Sequence, residues 1–198
     1  MLSVTPITMK LINQRILSLD HTLDQYYPHL RGDVKGEITV KHLLTHSSGL
    51  KPFVEFYKKD SAMEINSMVE NILNLDLDFS PGEKMQYSDL GIILLMDIIE
   101  EVSGSTLDKL CERWIFNPIG MKNTFYNPDL SIQDNIIPTE EDNYFRNRLL
   151  IGEVHDENAY LLDGVSGHAG IFSNAIDLAK YGQLFLNGGT WLGNRIFS

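Results

Sequence analysis

The chain has 198 residues, 43% of them hydrophobic and 22% charged, the composition of a folded protein able to bury one good core and no case for disorder. Its formal charge of -11, with lysines and arginines scattered among more numerous carboxylates, argues against a nucleic-acid partner and suits solubility or a small-molecule substrate. The longest apolar run, residues 90–96 with one glycine, is too short to cross a bilayer, and a single cysteine excludes an internal disulfide.

The opening Met1-Leu2-Ser3-Val4-Thr5-Pro6 has neither a basic region nor a small-residue cleavage site, so no signal peptide is read there and the compartment stays open. Pro6 suits a first helical turn, and Ile7, Leu11, Ile12 and Ile16 make an apolar stripe, predicting a helix over about 5–16. Residues 38–46 predict a short helix capped by Thr39 and stopped by Ser47-Ser48-Gly49. Ser61 with Glu64 three residues on reads as a capping box, leading Ile65, Met68, Val69, Ile72 and Leu73 along one face.

The stretch FSPGEKMQYSDLGIILLMDIIEEVSG, residues 79–104, carries the clearest local pattern. Ser80-Pro81-Gly82 is a turn, because proline presets its φ and glycine accepts a positive one. Leu90, Ile93, Leu94, Ile98 and Val102 mark a helical face, with Ser88 or Asp89 as its cap and Gly104 at its end. Tyr87 is thereby placed just outside a helix, where its phenol can face a cleft, although the local sequence by itself favours the plainer reading that its ring packs and its hydroxyl is hydrogen-bonded.

Ser105 or Thr106 is expected to cap a further helix bearing Leu107, Leu110, Cys111, Trp114 and Ile115, ending before Asn117-Pro118. Cys111 on that face is read as core packing. Residues 123–165 lack clean periodicity, and a loop-rich span that long in a compact domain is either functional or contains elements that periodicity misses. Ser173 is expected to cap a last helix running through Leu178, Ala179 and Phe185 to Gly188-Gly189. The balance is helical with few strands.

Two patterns bear on chemistry. His42 and His46 have the i, i+4 spacing that lets imidazoles share a metal, yet no glutamate makes a His-Glu-x-x-His. His155 and His168 add ligand types without a recognisable spacing, so no metal and no cofactor is assigned, a metal-dependent hydrolase being the less favoured alternative. Gly164-Val165-Ser166-Gly167-His168 departs from a nucleophile elbow, since His168 stands where glycine is needed. With Gly170 it reads as a glycine-rich loop that allows close backbone approach to a ligand or strand.

Several segments together resemble one family. ITVKHLLTHSSGL at 38–50, the tyrosine stretch at 79–104, NPIGMKNTFYNP at 117–128 and GEVHDENAYLLDGVSGHAGIFSNAIDLAKYGQLFLNGG at 152–189 are similar, in order, to the serine β-lactamase and penicillin-binding-protein superfamily. The likeness is to its class C-like and esterase-like branch and to the subgroup that includes penicillin-binding protein 4B. The resemblance implies an α+β fold of the β-lactamase/DD-peptidase type, of which this chain would be mostly the helical lobe, one domain over 1–198 incomplete at both ends. It also implies an acyl-enzyme formed on the serine of a Ser-x-x-Lys motif, with a Tyr-x-Asn motif helping to move the proton.

Tyr87 matches that tyrosine and is the expected catalytic residue; Asp89 stands in the asparagine's place, bringing a carboxylate instead of an amide. The chain is expected to lack Ser-x-x-Lys, since Ser3-Val4-Thr5-Pro6 has proline where lysine belongs, and so to be inactive alone. His155, Asp156, Ser166, Gly167, His168 and Gly170 are expected to shape a pocket on the same side as Tyr87, as irregular spans on a helical scaffold present binding groups. The implied substrate is a peptidoglycan peptide, a β-lactam or a small ester. The rival from another class is a non-catalytic binding module, or half of a split protein completed by a companion chain.

Overall fold

The structure, a computed structural model, describes residues 2–59 and 63–198. The chain divides into two compact units, Met1–Val54 with Glu64–Ser105 and Glu55–Met63 with Thr106–Ser198.

The first unit is helical. Helix α1, Val4–Asn13, buries Val4, Ile7 and Leu11. It is shorter than the apolar stripe suggests, because Arg15 turns left-handed at φ 59 and Ile16 is carried out to 43% exposure. Helix α2, Leu23–Tyr26, and helix α3, Val40–Leu44, lie beside one antiparallel bridge between Thr22 and Thr39. Thr39 caps α3 as expected, and the reciprocal partner is a histidine: Thr39 Oγ1 accepts from the His42 amide at 3.1 Å and His42 Nδ1 accepts from the Thr39 amide at 3.2 Å. Helix α4, Ile65–Leu73, buries Met68, Val69, Ile72 and Leu73. Its flanking residue is Glu64, which makes no side-chain cap bond, and Ser61 lies outside the described residues.

Helix α5, Asp89–Ser103, is the axis of this unit, with α1, α3 and α4 packed on it. Nine of its residues are buried, from Leu90 to Ile99, on more than one face, so it reads as a central helix and not as an amphipathic one. Ser88 is the cap, its Oγ accepting from the Gly91 amide at 3.2 Å, and Gly104 closes the helix at φ 63. The preceding turn is held by Gly49, whose φ of +84 and approach to the Phe79 carbonyl, 2.1 Å from where a Cβ would sit, admit only glycine.

The second unit mixes short helices with short strands, in keeping with the α+β class. Helix α6, Leu107–Cys111, buries Leu107, Leu110 and Cys111, and burial drives the Cys111 thiol pKa up, as fits a packed residue. The helical run does not end before Asn117. It passes through a π-helical turn at Glu112–Phe116 into helix α7, Asn117–Ile119, and stops only at Gly120, φ 70. The wider turn, closed by a bond from the Asn117 amide to the Glu112 carbonyl, tolerates Pro118, which lacks a donor.

Strand β1, Phe125–Tyr126, is followed by the hairpin of β2, Glu140–Asp142, and β3, Arg148–Leu150, in the span where the sequence shows no period. Helix α8, Glu157–Leu161, comes next, then strand β4, Ile171–Phe172, which pairs antiparallel with β1. Helix α9, Ala175–Leu186, is capped by Asn174 and not by Ser173: Asn174 Oδ1 accepts from the Asp177 amide, while Ser173 Oγ is engaged by Thr124 Oγ1 at 2.8 Å. Strands β5, Thr190–Trp191, and β6, Asn194–Arg195, form a terminal hairpin.

Candidate active site

In the first unit the site is built on the segment entering α5. Tyr87 precedes the cap and is 56% exposed, outside the core as expected. Four bonds hold its surroundings. Ser88 Oγ donates to the Lys51 carbonyl at 2.7 Å, the Asp89 amide to the Pro52 carbonyl at 2.9 Å, and the Gln86 amide to the His46 carbonyl at 2.8 Å. The Ser88 amide donates to His46 Nδ1 at 3.2 Å, so His46 carries its proton on Nε2. Its ring lies 4.5 Å from that of Tyr87. Burial lowers the His46 pKa, against the opposing pull of the Ser88 amide, and keeps the imidazole a neutral acceptor. Asp89 opens α5, where a carboxylate meets the positive end of the helix.

The expected absence of Ser-x-x-Lys needs correcting at one place. Ser48-Gly49-Leu50-Lys51 spells that motif. It lies in the loop after α3, not on a helix, so the spacing does not bring serine and lysine onto one face. Ser48 is buried, with its Oγ accepting from the Leu50 amide, and Lys51 Nζ pairs with Asp78 at 2.9 Å. These residues brace the turn instead of forming a nucleophile and base.

In the second unit the structure brings together the other residues singled out by sequence. His155, Asp156 and Gly170 line one pocket of ≈ 410 Å³ with Thr139, Glu157 and Phe172. Asp156 caps α8 by accepting from the Ala159 amide at 2.7 Å, and the same Oδ1 lies 2.9 Å from His168 Nε2. Burial acts to raise the Asp156 pKa, but the His168 bond and charge with the Ala159 amide outweigh it and lower it. His168 Nδ1 in turn lies 2.7 Å from Ser166 Oγ.

Serine, histidine and aspartate in a row are the residue types of a hydrolytic triad, yet Ser166 is fully buried and its carbonyl accepts from Tyr126 at 2.9 Å. The row is a strut tying the glycine loop to α8. Gly167 is buried in that loop, and Gly170, φ +109, passes so close to the Gly164 carbonyl that a Cβ would sit 2.2 Å from it. His155 Nε2 lies 3.3 Å from Glu140 Oε2, so the two histidines face different carboxylates. Tyr87 and Asp89 belong to the first unit and the remaining residues to the second.

Sequence reading missed three participants. His46 stood out only as a metal candidate. Arg146 was passed over in the aperiodic span, but its guanidinium bonds Asp142 at 2.8 Å and the carbonyls of Val154 and His155 at 2.6 and 2.5 Å, fixing the chain just before Asp156. Burial works to raise the Asp142 pKa, and the amides of Phe145 and Arg146 with the guanidinium override it, leaving it lowered to about 2. Glu157 accepts from the Tyr144 hydroxyl, and burial, with Glu140 and Asp142 near, raises its pKa. Only the charge alternation of residues 140–157 could have hinted at these last two.

A family model described as Beta-lactamase matches residues 2–196. The N-acetylmuramyl-L-alanine amidase of Bacillus subtilis (strain 168) is 34% identical over 215 residues, 95% of this chain and 48% of that protein. Among solved structures, a class C beta lactamase from Rhodobacter sphaeroides superposes with a TM-score of 0.72 at 22% identity, over 96% of this chain and 50% of its own. D-alanine carboxypeptidase AmpC from Burkholderia cenocepacia gives 0.70 at 19%, over 92% and 46%. The chain spans about half the length of the curated relatives it matches.

Proposed function

The chain belongs to the β-lactamase family, and from that premise we propose that it contributes the tyrosine half of a serine hydrolase that attacks amide or ester carbonyls of peptidoglycan-like substrates through an acyl-enzyme. The observation that carries this is Tyr87: exposed, fixed one residue ahead of the α5 cap, and backed by a neutral imidazole. In that role its hydroxyl moves a proton to or from the attacking oxygen, a contribution of typically about 10²–10⁴-fold in rate. A tyrosine alone attacks nothing, so the nucleophilic serine comes from outside these 198 residues and the chain by itself is inert. Asp89, His155, Asp156, Ser166, Gly167, His168 and Gly170 serve binding and positioning in this reading, without metal or cofactor.

A companion segment completing the fold is favoured by α9, where Ile176 is 70% and Leu186 83% exposed. Surface of that kind on a helix is commonly covered by further chain.

The test uses a fluorophosphonate probe with peptide mapping. The 198-residue chain is expected to remain unlabelled, and a single chain carrying the family's other half to be labelled on a serine beyond these residues. Tyr87→Phe in that longer chain is expected to slow labelling by about 10²-fold or more. Labelling at Ser48 or Ser166, or an unchanged rate in Tyr87→Phe, refutes the proposal.

A further inference from the structure

The pocket of the second unit has a chemistry of its own. Its ≈ 410 Å³ are lined by apolar Val154, Ile171 and Phe172 and by polar Thr139, Asp156 and Glu157. Neither lysine nor arginine is among its lining residues. The guanidinium of Arg146, which bonds the carbonyls of the lining residues Val154 and His155, is spent on these and on Asp142 and Glu153. His155, the lining imidazole, has its Nε2 3.3 Å from Glu140 Oε2.

Within this wall Asp156 has an uneven set of bonds. Both of its hydrogen bonds, from Ala159 and His168, fall on Oδ1. A carboxylate has about four lone-pair sites, so Oδ2 keeps acceptor capacity in a residue that faces the pocket. The lowered pKa keeps that carboxylate ionised at neutral pH. Anionic groups entering such a wall meet the like charge of Asp156 and Glu157, whereas an ammonium meets an acceptor and brings three donors.

We infer that this pocket receives the primary ammonium group of a small substrate, with the apolar body of the same molecule lying against Val154, Ile171 and Phe172. The inference rests on the reading above that this region binds substrate, and it names the class of substrate: amines in preference to carboxylates. Size agrees, since a pocket of a few hundred Å³ is the usual volume for a small organic ligand.

The test compares benzylamine, benzyl alcohol and benzoate, three molecules of one shape and different charge, by NMR titration of the 198-residue chain at pH 7. Benzylamine is expected to shift the resonances of Thr139, Gly170 and Phe172 saturably and to bind at least about 10-fold more tightly than benzoate, a difference of about 1.4 kcal/mol, with the alcohol between. Asp156→Asn should erase the preference among the three.

Because Asp156 also caps α8, a second variant guards against simple misfolding. Ala169→Leu fills the cavity without altering charge and should abolish all three sets of shifts while leaving the circular dichroism unchanged. Equal binding of benzoate and benzylamine, shifts confined to other residues, or benzylamine binding that survives Ala169→Leu overturns the inference. None of these readouts needs a nucleophile, so failure here leaves the acyl-transfer reading standing, and failure of probe labelling leaves the amine pocket standing.

Discussion

Replacing Ser88 by alanine tests the link between the α5 cap and the tyrosine it presents. Ser88 is buried and its Oγ makes two bonds, accepting from the Gly91 amide at 3.2 Å and donating to the Lys51 carbonyl at 2.7 Å. Loss of the first is the loss of a helix cap, about 1 kcal/mol. Loss of the second strips a donor from the part-buried Lys51 carbonyl, which puts the cost at the lower end of the typical range, about 1–2 kcal/mol.

Ser88→Ala should therefore cost about 2–3 kcal/mol, a substantial share of the 5–15 kcal/mol that holds a domain folded. The midpoint of urea unfolding followed at 222 nm should fall with little change in slope, and Tm should drop by about 5–10 °C for a chain of this size. Amide exchange at Gly91 gives the same answer locally and does not depend on two-state unfolding. Thr106→Ala is the matched control, since Thr106 holds the cap position of α6 without a side-chain bond. Its cost should stay below about 0.5 kcal/mol. Equal midpoints for the two variants would show that the Ser88 hydroxyl holds nothing.

Gly49→Ala forces a Cβ against the Phe79 carbonyl at a left-handed φ, and should destabilise by about 1–3 kcal/mol or more in the same urea titration; a neutral result would mean the turn relaxes freely. His46 gives a pH signature. Its folded pKa lies below the unfolded value of about 6.5 because of burial, so the unfolded chain binds more protons in that interval. Stability from this source is complete above about pH 6.5 and is lost as pH falls through the folded pKa. His46→Gln should flatten part of that slope between pH 7.5 and 5, the remainder belonging to His42, which burial and Lys41 shift the same way. An unaltered slope would show that His46 carries no such linkage.

What could be read in advance divides along the range of the interactions. The Ser88 cap, the Gly104 stop and the Thr39 cap are decided within four residues, and all three are found where local rules put them. Chain order of four motifs supplied the family and the α+β class. Where a distant partner competes, local rules fail. Ser173 is the cap expected from the sequence, but Thr124, 49 residues away, engages its hydroxyl, and Asn174 takes the cap. Likewise the hairpin of β2 and β3 has no apolar alternation to announce it, because its turn is held by Asp142 binding the amides of Tyr144, Phe145 and Arg146. His46 reaches the Tyr87 segment over 42 residues of chain, a pairing that no periodicity encodes.

The widened turn between α6 and α7 settles a geometric problem hidden in the apolar spacing. At roughly 100° per residue in an unbroken α-helix, Ile119 would point about 120° round the axis from Leu107, and Phe116 about 180°, directly away from it. Yet Leu107, Phe116 and Ile119 are all buried. A turn that absorbs one extra residue winds back by about 100°. That rotation swings the second apolar set toward the side of the first, so the surplus residue acts as a phase correction. A chain shortened by one residue at Arg113 would regain regular helical pitch and leave Phe116 facing as it does now, since eight regular steps from Leu107 come to the same direction, about 80°, as nine steps with the wide turn.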